Sequence, residues 1–183
     1  MSGRSPAGPL IAEHRIIERM IAVLASELES MRSQRRANPV FIDTAVDFIR
    51  TYADRCHHGK EEDILFRRLG EKDLDPKLAG VMRELIEEHT HARTVTRQLI
   101  DSNRRYADGD EKALGDIESA LCELVEFYPV HIAKEDRHFF KPCMAYFTPA
   151  ERSAMLADFD ELDRALIHEK YRLLVEDLEG AAP

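Results

Sequence analysis

One chemical phrase is written twice in this chain: His57-His58-Gly59-Lys60-Glu61-Glu62-Asp63-Ile64-Leu65-Phe66 and His131-Ile132-Ala133-Lys134-Glu135-Asp136-Arg137-His138-Phe139-Phe140. Aligned without gaps, 74 residues apart, they pair His57 with His131, Lys60 with Lys134 and Glu61 with Glu135. A further histidine stands upstream of each, His14 and His89, 75 residues apart. The pattern H…HxxxE, repeated at a nearly constant offset, points to two copies of a helical hairpin whose repeated side chains face one another.

The rest of the sequence reads as helices. Leu10, His14, Ile17, Ile21, Leu24, Leu28 and Met31 recur at spacings of three and four and make one helical face. Asn38-Pro39, Asp75-Pro76 and Thr148-Pro149 each set an N-cap residue before a proline suited to the first helical position, and Glu151 completes a capping box with Thr148. These signals predict helices over 10–36, 39–69, 76–107, 111–145 and 149–179, with no competing strand. The expected fold is all-α: a flexible lead at 1–9, an antiparallel up-and-down four-helix bundle at 10–145, and an accessory helix at 149–179. Pro129 is expected to kink the fourth helix one turn before His131, because it cannot donate to the carbonyl of Val125. The stripe Met155, Phe159, Leu162, Leu166 and Leu173 of the last helix must cover either the bundle or a second subunit, so the chain is expected to be a monomer or a homodimer.

Charge narrows the partners. A formal net charge of −9 and a pI near 5.4 argue against a nucleic-acid or anionic-membrane surface, either of which needs a cationic patch. The run Arg32-Ser33-Gln34-Arg35-Arg36 reads as a basic helix end suited to the macrodipole. Three unpatterned cysteines and the lack of a long apolar run or signal sequence fit a reducing cytoplasm. Cys56, Cys122 and Cys143 read as small fillers, with a redox role conceivable for Cys56 beside His57.

The histidines belong to one level of the bundle. His14 lies about 22 residues before the end of its helix and His57 about 18 after the start of the next; the later outward and return runs balance as closely. His14, His57, His89 and His131 each have apolar residues one turn away, so all four point inward, and Glu61 and Glu135 follow at i+4 on the same faces. Two buried carboxylates without a cation would be very costly. The candidate ligands are therefore His14, His57, Glu61, His89, His131 and Glu135. Four imidazoles and two carboxylates exceed what one zinc takes and suit a pair of ions bridged by Glu61 and Glu135, His14 and His57 holding one, His89 and His131 the other. His58 and Glu62 repeat the HxxxE spacing, but their face carries Thr51, Asp54 and Arg55, so they are expected to be exposed or to play supporting roles. His91 reads as a surface residue, His138 and His168 as surface or structural ones, and Tyr52 and Tyr128 as core residues that are also the nearest proton donors.

These residues resemble the hemerythrin-like, HHE cation-binding family. The resemblance covers His14 to Glu135 and rests on Glu13-His14, the two long phrases above and Glu88-His89. It implies a non-heme centre of two iron ions, oxo- or hydroxo-bridged and carboxylate-bridged, that binds O2, NO or peroxide for sensing, storage or the handling of iron and oxidative stress. Oxygen-carrying members have a histidine four residues after the third one, where this chain has Arg93, and bridge with Asp where it has Glu135. Losing that imidazole predicts faster autoxidation, so an O2-bound form is expected to be short-lived in stopped-flow spectra recorded in air. Three rival readings are a ferritin-like site built on Glu88-x-x-His91 and Glu135-x-x-His138, an enzyme acting on peroxide or O2, and a metal-independent helical interaction module. A binding protein is the expectation over an enzyme, since no substrate pocket can be read from the residues.

Overall fold

The computed structural model describes the backbone of residues 5–180 and the side chains of residues 5–170. Helix α1 is Ala7–Gln34; α2 covers 39–69, built from Pro39–Phe48, Ile49–His58, Lys60–Phe66 and Arg67–Leu69; α3 is Pro76–Ala107; α4 covers 113–144, built from Ala113–Lys134, Glu135–Phe139 and Phe140–Met144; α5 is Pro149–Gly180. The described residues contain no strand, and the architecture is an all-α bundle of α1–α4 with an additional C-terminal helix. Helix α4 packs against α1 and α3, and α2 against α3.

The lead-in is shorter than the sequence suggests, because α1 begins at Ala7 and buries it. Pro9 sits in the first turn, where backbone N–H groups have no intrahelical partner to lose, so it does not delay the helix. Residues 1–4 of that lead and the side chain of Leu173 lie outside the described residues. The three start signals are used as written. The Asn38 side chain accepts from Phe41 N–H, Asp75 accepts from Lys77 and Leu78 N–H, and Thr148 and Glu151 exchange bonds, Thr148 N–H donating to Glu151 at 2.7 Å.

Apolar side chains form two separate layers. The larger gathers Ile17, Leu24, Leu28, Ile42, Leu99 and Leu121, with Tyr128 at its edge; the smaller gathers Leu10, Leu65, Phe66, Leu85, Phe139 and Phe140. Each fully buried leucine contributes about 2 kcal/mol. All four repeat histidines lie where the layers meet: His14 between Leu10 and Ile17, His57 between Ala53 and Ile64, His89 between Leu85 and Val95, His131 between Tyr128 and Phe139. Helix α5 closes the smaller layer by burying Met155 and Phe159, so its stripe covers the bundle of its own chain.

The two repeat phrases depart in part from ordinary α-helix, the first throughout most of its length and the second from Glu135 onward. Ile49–His58, Lys60–Phe66 and Glu135–Phe139 wind more widely, with Gly59 N–H donating to the carbonyl of Asp54 and Phe140 N–H to that of Glu135, bonds that span five residues. Wide turns of this kind are rare and are frequently found at functional sites.

Glu151 ties α5 to the bundle through Lys72 and caps the helix through Thr148; these bonds hold its carboxyl down to about 2, against an ordinary 4.5. A depressed carboxyl supplies stability above its unfolded value and loses it as pH falls through the folded one. Carbon-13 titration of Glu151 is expected to show a midpoint near 2, and amide exchange in the first turn of α5 to quicken across that window.

Candidate metal centre

The six repeat residues converge. His14, His57, Glu61, His89, His131 and Glu135 are all 2% exposed or less, and the side chains meet at one level of the bundle. Glu61 Oε1 lies 3.6 Å from His57 Nε2, and its Oε2 lies 3.4 Å from His89 Nε2. Glu135 Oε2 lies 3.1 Å from His14 Nε2, and its Oε1 lies 3.4 Å from His131 Nε2 and 3.6 Å from His89 Nε2. Each carboxylate thus turns one oxygen to the His14–His57 side and the other to the His89–His131 side. All four Nε2 atoms and all four carboxylate oxygens are buried without a hydrogen-bond partner.

Behind each imidazole stands a carboxylate, and behind each carboxylate a cation. His14 Nδ1–H donates to Asp136 at 2.7 Å, which Arg15 also binds; His57 Nδ1–H donates to Glu13 at 3.0 Å, which Lys60 binds. His89 Nδ1–H donates to Glu62 at 2.7 Å, which Arg93 binds; His131 Nδ1–H donates to Glu88 at 2.7 Å, which Lys134 binds. A carboxylate on Nδ1 fixes the tautomer and aims the Nε2 lone pair inward. The four bonds obey the sequence repeat: Glu13 and Glu88 act within their own hairpin, whereas Glu62 and Asp136 reach across to the other.

Electrostatics follow from this arrangement. Burial and the neighbouring Glu135 push Glu61 well above the ordinary carboxylate range. Burial opposes ionisation of Glu135 as well, but His131, His14 and His89 overcome it and hold that carboxyl well below the range. Against burial, His57 and Lys60 depress Glu13, while His89 and Arg93 depress Glu62. Against burial again, Glu135 and flanking carboxylates raise His14 and His89.

His58 departs from the sequence expectation. It is buried, stacks on His89 with ring centroids 3.8 Å apart, and brings a ring nitrogen within 4.8 Å of ligand atoms of His89 and His131. The α-helical spacing that sends His57 inward turns His58 away; the wide turn over Ile49–His58 reduces the rotation per residue and admits both. Its position in the second copy is Ile132, also buried, so the imidazole exists on one side alone. Glu62 is partly exposed and takes the supporting role foreseen for it.

Other expectations divide cleanly. His91 is half exposed and paired with Glu123, and His138 is exposed, so the ferritin-like pairs have no inward histidine. His168 is exposed as well. Cys56, Glu13 and Asp163 lie close enough to hold an ion, but the Lys60 ammonium already occupies that cluster, bonded to Glu13, to Asp163 at 2.6 Å and to Cys56 Sγ at 3.4 Å. Burial, with Asp163 and Glu13 adding to it, pushes the Cys56 thiol up to about 12, which removes the thiolate that redox chemistry requires.

The hemerythrin HHE cation binding domain model matches residues 6–141, and the chain belongs to that family. It is 20% identical over 164 residues to uncharacterized proteins of Mycobacterium bovis and of Mycobacterium tuberculosis; the match takes in 89% of this chain but 60% of each relative, so the chain spans about three fifths of their length. No solved structure matches. Cation binding is thus the family's property, and the His/Glu clusters described above could hold a metal. No helix among the described residues is long and apolar enough to cross a membrane.

Lys60 and Lys134 hold equivalent places in the repeat but differ in environment, the first 1% exposed and tied to α5, the second 25% exposed. Lys60→Met is expected to cost about 3 kcal/mol in urea unfolding because it strands buried carboxylate. Lys134→Met should cost about 1 kcal/mol or less.

Proposed function

We propose that the chain is a non-heme diiron protein that binds O2, NO or peroxide for sensing, storage or the handling of iron and oxidative stress. Its two ions would be held by His14, His57, Glu61, His89, His131 and Glu135. The observation that carries this reading is the set of eight inward donor atoms, four nitrogens and four oxygens, buried without partners and divided evenly by two carboxylates. An orphaned buried polar atom costs about 1–3 kcal/mol, so eight would forfeit on the order of 10 kcal/mol, comparable with the whole stability of a domain. Cations remove that cost. Two carboxylates each presenting one oxygen to either side suit a pair of ions better than a single one, and the mixed imidazole and carboxylate set suits iron.

Bound there, the iron pair would supply redox-active Lewis acids for a small oxygen or nitrogen species. The chain's own residues supply the rest. Asp136, Glu13, Glu62 and Glu88 keep the imidazoles oriented and electron-rich, and Arg15, Lys60, Arg93 and Lys134 bind those carboxylates in turn. The apolar layers above and below limit water. His58 offers a fifth imidazole on the side that Arg93 leaves one short. A metal-independent module is disfavoured by the same eight orphaned atoms, which packing alone would select against.

Two measurements test the reading. Protein purified without chelators and reconstituted anaerobically is expected to carry about two irons per chain, falling to about one or fewer in His14→Ala or His89→Ala. Fewer than about 0.2 irons per chain in the native protein would refute it. Loading must also release protons, because Glu61, His14 and His89 are raised toward their protonated forms without a cation between them. Iron affinity should therefore rise with pH, with proton release recorded in weak buffer.

A further inference from the structure

We propose that a cavity beside the centre, between α2, α3 and α4, binds a small organic carboxylate. This goes beyond the diiron reading, and the binding itself is a property of the cavity's own residues.

The cavity has a volume of about 420 Å³. A water molecule's share of liquid is about 30 Å³, so the space exceeds what O2, NO or peroxide needs and falls within the range of small-molecule sites. Its walls are apolar where Ile49, Ala92, Ile100 and the ring of Tyr128 line them. Three guanidinium groups, Arg50, Arg93 and Arg97, face it against one carboxylate, Asp54. That is a local excess of positive charge on a chain whose formal net charge is −9.

The cations are not equivalent. Arg93 is already bound to Asp54 at 2.7 Å and to Glu62 at 2.8 Å. Arg50 and Arg97 are exposed at the mouth, and among the described residues neither has a carboxylate in ion-pair range; Arg97 reaches Thr94 Oγ1 at 3.4 Å. A guanidinium fork matches a carboxylate in shape and charge. At the inner end the Tyr128 hydroxyl is buried with no hydrogen-bond partner, although the residue is 1% exposed. A buried hydroxyl is seldom left unmatched, and this one is a donor whose proton burial holds firmly in place. Next to it on the wall is His58, stacked on His89.

An anion headed by a carboxylate at Arg50 and Arg97, with its body on the apolar walls and an acceptor toward Tyr128, would satisfy all of these groups. It would also lie one side chain away from the centre. A second, larger cavity between α3 and α4 has a weaker case: Lys134 on its wall is already bound to Glu84 and Glu88, and Asp75 and Glu84 oppose its remaining cations.

The test is isothermal titration of benzoate into the purified protein, with benzyl alcohol and inorganic phosphate as comparisons and iron content measured on every sample. Benzoate is expected to bind, benzyl alcohol and phosphate to bind much more weakly. Arg50→Gln/Arg97→Gln, checked for native helicity by circular dichroism, is expected to weaken benzoate about tenfold or more. Tyr128→Phe, which removes the hydroxyl and keeps the ring, should weaken it by a smaller factor. Absence of benzoate binding, equal affinity for benzyl alcohol or phosphate, or an unchanged affinity in the double variant would each overturn the proposal. Benzoate binding by anaerobically reconstituted protein that still holds fewer than about 0.2 irons per chain would sink the diiron reading alone, and iron without benzoate binding this one alone.

Discussion

Burying Glu61 and Glu135 side by side between two apolar layers is the constraint on which the bundle depends. Among the described residues neither side chain finds a hydrogen-bond donor, and the imidazole nitrogens that face them are likewise unmatched. Ordinary core packing would replace such groups with leucine. Their retention at the junction of the layers makes sense only if something charged and positive completes the set, and the membership of the chain in a cation-binding family agrees with that physical requirement.

Much of the remaining polar structure serves to make the arrangement tolerable. Four chains of imidazole, carboxylate and cation radiate from the junction; those of Arg15, Arg93 and Lys134 reach solvent, and that of Lys60 ends buried beneath α5. The pseudo-symmetry is broken in two places. On one side α5 lies over Lys60 and contributes Asp163, so a helix outside the family match takes part in supporting His57. On the other, His58 and Arg93 stand where the repeat has no counterpart, and the Arg-lined cavity opens next to them.

The fold was legible because its signals are local and redundant. Caps followed by proline at residues 38, 75 and 148 mark three helix starts, and apolar spacing fills the segments between. The convergence of His14, His57, His89 and His131 followed from counting residues out and back along antiparallel rods. His58 was not legible, because a face assignment at α-helical rotation puts it opposite His57, and nothing in the sequence announces that Ile49–His58 winds more widely. Nor could the pairing of Glu13 with His57, or of Asp136 with His14, be read, since each depends on how far one helix is turned about its axis relative to its neighbour. The burial of Lys60 was hidden for a related reason: it is created by α5, whose docking site no periodicity specifies.

The crossing of support between hairpins carries a consequence for ancestry and for engineering. His14 leans on Asp136 and His89 on Glu62, so a hairpin cut from this chain would lack a brace for its first imidazole and half of its carboxylate oxygens. Two identical hairpins facing each other would satisfy every one of those bonds. A duplicated and fused half-length progenitor, working as a pair, is therefore a chemically complete precursor of this architecture, whereas a solitary half is not.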